Sequence, residues 1–316
     1  MSEFLRILSF AFSVTGPIFI ILALGIILAR IGMITDAFID AGSKLVFNVT
    51  LPALLFITIS KTNLEHIANV SLIVYGLIAT LVVFVLLEWV AGIFINPPQD
   101  RGVVVQGAFR SNMGIVGLAY CANAYGEVGL AAASIYLGPV TILFNVLAVI
   151  TLNRSLNKHR SVANTLLDIA KNPLILGIVL AIPVAWSHWQ LPPILLQSGE
   201  YFAQMTLPLA LLCTGASLSL KALREDSHNA VIASIGKLLI VPFIITLVGY
   251  WLGFRDMDLG ILFLMTSSPT AAASYIMVRA MSGNAVLAAN VIALTTIGSI
   301  LVASIGVALL RHQGLM

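Results

Sequence analysis

The sequence predicts an all-α membrane protein. Its expected architecture is ten transmembrane helices as two inverted five-helix repeats, with the fourth and ninth helices broken where they cross. Three observations predict this. The chain is too apolar to fold in water, its apolar residues fall into ten punctuated runs, and landmarks of the first half recur in the second at one fixed offset.

Of 316 residues, 59% are hydrophobic and 9% charged, with a mean hydropathy of +1.04. Soluble domains carry about 25% charged residues, so most of this surface must face lipid. Ten spans of about 20 residues, each long enough for a ~30 Å hydrocarbon core, leave no room for a separate soluble domain. The net charge of +3 is no sign of nucleic acid, because most Lys and Arg fall in loops, where they set orientation. Cys121 and Cys213 sit in apolar stretches and read as core packing, not a disulfide framework. The run Ile7–Leu28 is long and weakly charged at its N-terminal flank, so it reads as a true span and not a cleaved leader.

The ten runs cover 9–29, 41–60, 67–90, 102–124, 128–152, 173–188, 193–219, 229–252, 258–278 and 285–310. Breakers separate them at Asn96-Pro97-Pro98, Tyr125-Gly126, Pro192-Pro193 and Ser282-Gly283-Asn284. An even number of spans places both termini on one side. Arg6, Lys61, Arg255 and Arg311 lie on that side. Arg30, Arg101, Arg154, Lys158, Arg160, Lys171, Lys221, Arg224 and Arg279 lie on the other. Positive charge marks the cytoplasm, so the expectation is a cell (inner) membrane protein with both termini outside, in the periplasm. The expected units are residues 1–152, a cytoplasmic linker 153–171, and residues 172–316. Within the linker, 162–168 reads equally as a short amphipathic helix or a solvated segment.

The repeat appears at an offset of 156. Gly16-Pro17 falls on Asn172-Pro173, Thr50-Leu51-Pro52 on Thr206-Leu207-Pro208, and Arg110-Ser111-Asn112 on Thr266-Ser267-Ser268. Each unit holds an odd number of spans, so the second enters the membrane from the opposite side. Inverted repeats mark several secondary-transporter folds, in which two similar halves support inward-open and outward-open packings.

Spans four and nine carry polar residues at mid-depth: Arg110, Ser111 and Asn112 in one, Ser267, Ser268, Pro269 and Thr270 in the other. A proline removes a backbone donor and clashes with the preceding turn. The freed carbonyls need protein or water partners, because lipid offers none. Paired interruptions at matching positions point to a substrate site, and the exposed half-helix N-termini favour an anion. Pro52 with Asn48 and Thr50, and Pro208 with Gln204 and Thr206, form a second matched pair, open to either a packing or a cavity-lining role.

The charge near the centre is positive. Arg110 lies about twelve residues past Pro98, roughly 18 Å of helix, and a buried membrane cation is a functional candidate by default. Contact with an anion and scaffold pairing with carbonyls and Asn112 both remain open for it. Lys237, eight residues past Asn229, is expected to snorkel to the cytoplasmic face. No acid is expected equally deep: Glu88 and Glu200 lie near span ends, and all five histidines fall in loops or at span ends.

The segments Phe47–Phe56, Arg110–Gly117 and Ser268–Ala272 together resemble the auxin efflux carrier family, including its bacterial malate- and malonate-permease-like members. The resemblance runs end to end. It implies the fold of bile-acid sodium symporters, with spans one, two, six and seven as scaffold and the others as a moving core. It also implies a homodimer joined through the scaffold, an elevator-like motion, and a carboxylate bound at Asn112 and at Ser268 and Thr270. The chain departs from the family pattern at Ala119, where many relatives have proline, and at Ala273, where many have asparagine.

The reading is therefore a secondary transporter of a small organic anion, a carboxylate or dicarboxylate, working by alternating access. A sodium- or proton-coupled carrier of neutral or zwitterionic solutes such as amino acids is the alternative, and a channel or sensor a remoter one. No cofactor is expected beyond a coupling ion, sodium or proton. Sodium would lie near Asn112, Ser267 and Thr270. An enzyme is not expected: the central serines have no His or acid nearby in sequence, and no metal-spaced His/Cys cluster exists.

Overall fold

The computed structural model describes residues 3–61, 69–156, 171–187, 189, 191–218 and 227–316. The stretch 162–168, with most of the expected linker, lies outside them. Among the described residues the fold is all-helical, apart from one isolated antiparallel bridge. In chain order the helices are α1 (Glu3–Arg30), α2 (Asp36–Ser60), α3 (Val70–Phe94), α4 (Arg101–Phe109) and α5 (Met113–Leu156). Then come α6 (Pro173–Trp186), α7 (Pro193–Ala216), α8 (His228–Trp251), α9 (Asp256–Ser267), α10 (Ala273–Ala280) and α11 (Ala285–His312).

Local chemistry sets several starts. The side chains of Thr35, Asn69, Asn172 and Asn284 accept from backbone amides in the first turns of α2, α3, α6 and α11, satisfying donors that the helix leaves orphaned. Pro173 follows Asn172 at the first helical position, where a missing N–H costs nothing. Inside α2 and α8 the sequence forces π turns at Val46–Thr50 and Gly236–Ile240. Each ends just before a proline, Pro52 or Pro242, whose ring would clash with the carbonyl four residues back. The wider turn relieves that clash: Leu51 and Val241 donate five residues back, to Val46 and Gly236.

Among the described residues six helices are long and apolar enough to cross a membrane: α1, α2, α3, α5, α8 and α11, while α6 is apolar but shorter. Ten spans are expected from the sequence, and several of the remaining helices are short, while α5 is bent. Helices α4, α9 and α10 have 9, 12 and 8 residues because their spans are interrupted. Helix α5 has 44 residues, about 66 Å if straight, or twice the hydrocarbon core. It does not run straight, because Gly126 takes φ 65° and ψ −149°, a conformation open to glycine and costly for other residues. The outer faces carry apolar side chains such as Ile20, Val85 and Trp89, each more than 60% exposed, as lipid contact requires.

Helices α1, α2, α6 and α7 pack mainly on one another, and α3, α4, α5, α8, α9, α10 and α11 form a second group, with α1 also lying along α11 and α5. The ends of the chain meet at one end of the bundle. The Arg311 guanidinium lies 4.6 Å from the Phe10 ring centroid, and Thr15 and Ser304 share a 2.8 Å hydrogen bond. At the opposite end, buried Asp100 accepts from Asn284 (3.2 Å) and Asn229 (3.4 Å), tying the entries of α4, α8 and α11 together. Both cysteines are buried and free, as expected.

Close approach of α1 and α7 depends on small residues. A Cβ on Gly215 would collide with the Leu22 carbonyl, and one on Gly25 with that of Leu212. Such backbone-to-backbone contact is how membrane helices gain packing without a hydrophobic drive between them. Gly215→Val should cost about 1–3 kcal/mol through overpacking, visible as a lower unfolding midpoint in detergent.

Candidate functional site

Two interrupted helices meet inside the bundle. Helix α9 stops at Ser267 because Ser268 precedes Pro269, and the residue before proline is driven into extended conformation; Ser268 has φ −60° and ψ 146°. Helix α4 stops at Phe109 without a proline. Arg110 (φ −81°, ψ 96°) and Asn112 (φ −78°, ψ 58°) leave the helical region, and α5 resumes with a π turn at Met113–Gly117. The two open segments satisfy each other. Asn112 N–H donates to Pro269 C=O at 2.7 Å and Ala271 N–H to Arg110 C=O at 3.0 Å, which sets Ser111 opposite Thr270 as an antiparallel pair. Buried backbone groups demand partners, and here each break supplies those of the other.

Side chains complete the joint. Thr270 Oγ1 donates to Gly107 C=O at 2.6 Å, while Thr270 N–H donates to Thr295 Oγ1 at 3.1 Å. Ser268 and Ser267 donate back to the carbonyls of Met265 (2.8 Å) and Leu264 (3.4 Å), and Ser111 reaches Thr266 C=O at 3.3 Å. The residues expected at this crossing, Arg110, Ser111, Asn112, Ser267, Ser268, Pro269 and Thr270, are therefore brought together, all of them buried.

Charge at the crossing is positive, and one source was misplaced by sequence reasoning. Lys237 does not snorkel. It has no exposed surface, and its Nζ donates to Ser111 Oγ and Thr266 C=O, both at 2.5 Å. It lies in the π turn enforced by Pro242, which turns the side chain inward. The signal available was a lysine five residues before a mid-span proline. Arg110, 7% exposed, donates from Nη2 to Asn145 Oδ1 at 2.6 Å and from Nη1 to Met277 Sδ at 3.6 Å. Asn145 lies in α5 and carries no sequence signal of its own. Among the described residues neither cation has an acidic partner. The ion pairs found are Lys61–Glu200 and Glu88–Arg154, at helix ends.

Unfilled hydrogen-bonding capacity collects beside these charges. The Asn112 side chain has no hydrogen-bond partner among the described residues. Nor do the amides of Met113 and Gly114, which open α5. These N–H groups form the positive end of a helix.

The second expected group is not part of this joint. Asn48 is exposed and donates back to Lys44 C=O (2.8 Å). Thr206 is buried and donates to Phe202 C=O (3.0 Å). Thr50 is fully buried with its hydroxyl unpartnered. Pro52 packs against Gly177 of α6, where a Cβ would lie 2.8 Å from the Pro52 carbonyl. Of this group Gln204 and Pro208 face open space: with Pro17, Lys61, Ala119, Asn123 and Glu127 they line a cavity of about 710 Å³ between α1, α2, α7 and α5. Ala119 lies seven residues beyond Asn112, about 10 Å along the helix.

An apolar helical bundle with two interrupted helices meeting inside it is the architecture of a membrane transporter. The chain belongs to the auxin efflux carrier family, described as membrane transport protein, whose model matches residues 11–307. It is similar to an uncharacterized transporter of Methanothermobacter thermautotrophicus, 24% identical over 80% of this chain and 83% of the relative. It is also similar to one of Methanocaldococcus jannaschii, 26% identical over 82% of this chain and 86% of the relative. A third, YfdV of Escherichia coli strain K12, is 25% identical over 87% of this chain and 91% of its own. The family and these relatives are named as transporters, not enzymes.

Proposed function

We propose that this transporter carries a small organic anion, a carboxylate or dicarboxylate, by alternating access. The observation that carries the reading is the charge balance at the crossing: two buried cations, no acidic partner among the described residues, and the free amide of Asn112 beside open helix N–H groups. An anion about 4 Å from one such cation gains about 4 kcal/mol at an effective dielectric constant of 20. That alone matches the free energy of a millimolar complex. The guanidinium of Arg110 has five N–H donors and spends two on Asn145 and Met277.

The membrane plan is the expected ten-pass one, with inverted units at 1–152 and 172–316 joined by 153–171. Three features support it: the fold of α5 at Gly126, the split of α4 from α5 and of α9 from α10, and termini at one end of the bundle. In this reading α1, α2, α6 and α7 form the scaffold of a homodimer. The crossing rides in the other group, which moves as an elevator past them. The cavity at Pro17 and Pro208 lies between the two groups, and Ala119, seven residues beyond Asn112, is part of its wall. The termini lie outside the inner membrane.

Thermal unfolding of the purified chain against a panel of mono- and dicarboxylates and amino acids tests the substrate class, because a ligand of the folded state raises the midpoint by mass action. A shift selective for carboxylates is expected. A shift with amino acids and none with carboxylates would overturn the reading in favour of a carrier of zwitterions.

A further inference from the structure

Carriers built on interrupted helices hold their coupling cation at unwound carbonyls and at the C-terminal ends of half-helices. Such an end is present here. Helix α9 stops at Ser267, and the carbonyls of its last turn have no next turn to bond, leaving partial negative charge at the crossing. Thr266 C=O belongs to that last turn. It accepts from the Lys237 ammonium at 2.5 Å and from the Ser111 hydroxyl at 3.3 Å, and the ammonium also reaches Ser111 Oγ. One positive charge thus touches both broken segments at once: Ser111 in the α4–α5 break and Thr266 at the end of α9.

The ammonium is fully buried and lies on the other side of the crossing from Arg110. Neighbouring residues of an extended segment point to opposite faces, so the Ser111 side chain bound by Lys237 and the Arg110 guanidinium bound to Asn145 diverge. Lys237 is held in position by the π turn before Pro242. At the corresponding end of α4 the Gly107 carbonyl is capped by a neutral group, the Thr270 hydroxyl. Of these two helix ends, the α9 end is the one whose carbonyl is capped by a full charge.

We propose that Lys237 is a built-in cation that occupies the site of a coupling ion at the end of α9, so that this transporter works without sodium. The proposal rests on reading the crossing as the transport site, but not on which solute is carried. It assigns Lys237 a positioning role: the ammonium locks the two broken segments together and keeps the crossing positive throughout the cycle, as a diffusible ion would only while bound.

The test uses the purified full chain without any solute. The wild-type unfolding midpoint should be the same in sodium, potassium and choline chloride at equal ionic strength. Lys237→Ala should unfold at least about 4 °C lower, and methylammonium, which returns a cation to the vacated space, should restore part of the loss where tetramethylammonium does not. Lys237→Met, of similar length but uncharged, should remain folded with its midpoint indifferent to alkylammonium size. A sodium-dependent rise in the wild-type midpoint would overturn the proposal, as would a Lys237→Met protein with the wild-type midpoint in every salt. Because the wild-type salt comparison needs no solute, its failure is read separately from the carboxylate-induced shift that tests the anion reading.

Discussion

Arg110→Ala is expected to weaken carboxylate binding by roughly 10- to 100-fold, the worth of a hydrogen bond to a charged group at about 1.5–3 kcal/mol. The same change removes the donor to Asn145 Oδ1, so some stability is lost as well. Two readouts separate these effects. Affinity is measured by the carboxylate-induced shift in midpoint, and stability by the midpoint without ligand. Arg110→Lys keeps the charge but not the planar fork, and a point charge recognises a carboxylate less well than a bidentate donor. It should therefore fall between wild type and alanine in affinity. A role confined to scaffold would lower the ligand-free midpoint and leave the affinity of the folded fraction unchanged.

Asn112→Asp is expected to have the larger effect, abolishing measurable binding. The wild-type side chain sits buried beside open amides with no partner among the described residues, a group placed to donate to an anion. A carboxylate there meets the bound anion with like charge. At about 4 Å and an effective dielectric constant of 20 the repulsion is about 4 kcal/mol, close to a thousandfold in affinity. Asn112→Ala removes one neutral hydrogen bond, worth about 1 kcal/mol or roughly fivefold. The order wild type, alanine, aspartate in carboxylate affinity, measured by titration calorimetry, is the signature of an anion next to this position. Equal losses in both variants would point to a role in folding alone.

Much of the crossing was legible in the sequence because breaking a helix in lipid leaves a chemical trace. Pro269 makes one break unavoidable, and the polar run Arg110-Ser111-Asn112 at the matching position of the first half marks the other. Both segments are open and joined. The first break needs no proline, since its free carbonyl and amide are met by the second. What could not be read were partnerships across the chain. Asn145 and Thr295 lie in stretches where a polar residue looks incidental, and their importance depends on which helix faces them. Lys237 was misjudged for a related reason. Depth along an ideal helix allowed its side chain to reach the surface, whereas the π turn before Pro242 rotates it into the core. The second matched pair was open to packing or cavity lining, and the structure divides it: Asn48 and Thr206 bond back to their own helices, while Gln204 and Pro208 line the cavity. Their prolines shape the turn at Val46–Thr50 and the cavity wall at Pro208, and of the polar residues beside them only Gln204 reaches that cavity.

The claim on which the rest depends is that two polypeptide segments far apart in sequence lie against each other inside the bundle. In an antiparallel pair of the kind formed by Ser111 and Thr270, with hydrogen bonds on the flanking residues, the Cα atoms are about 4.5 Å apart, inside the roughly 4.4–6.8 Å range that a disulfide spans. The direct measurement is oxidation of native membranes carrying Ser111→Cys and Thr270→Cys in a chain whose own thiols are removed by Cys121→Ala and Cys213→Ala, followed by maleimide labelling after denaturation. The account predicts that both introduced thiols become unavailable together, and that each stays labelled when introduced alone. Full labelling of both in the double variant, with the protein folded, would contradict it.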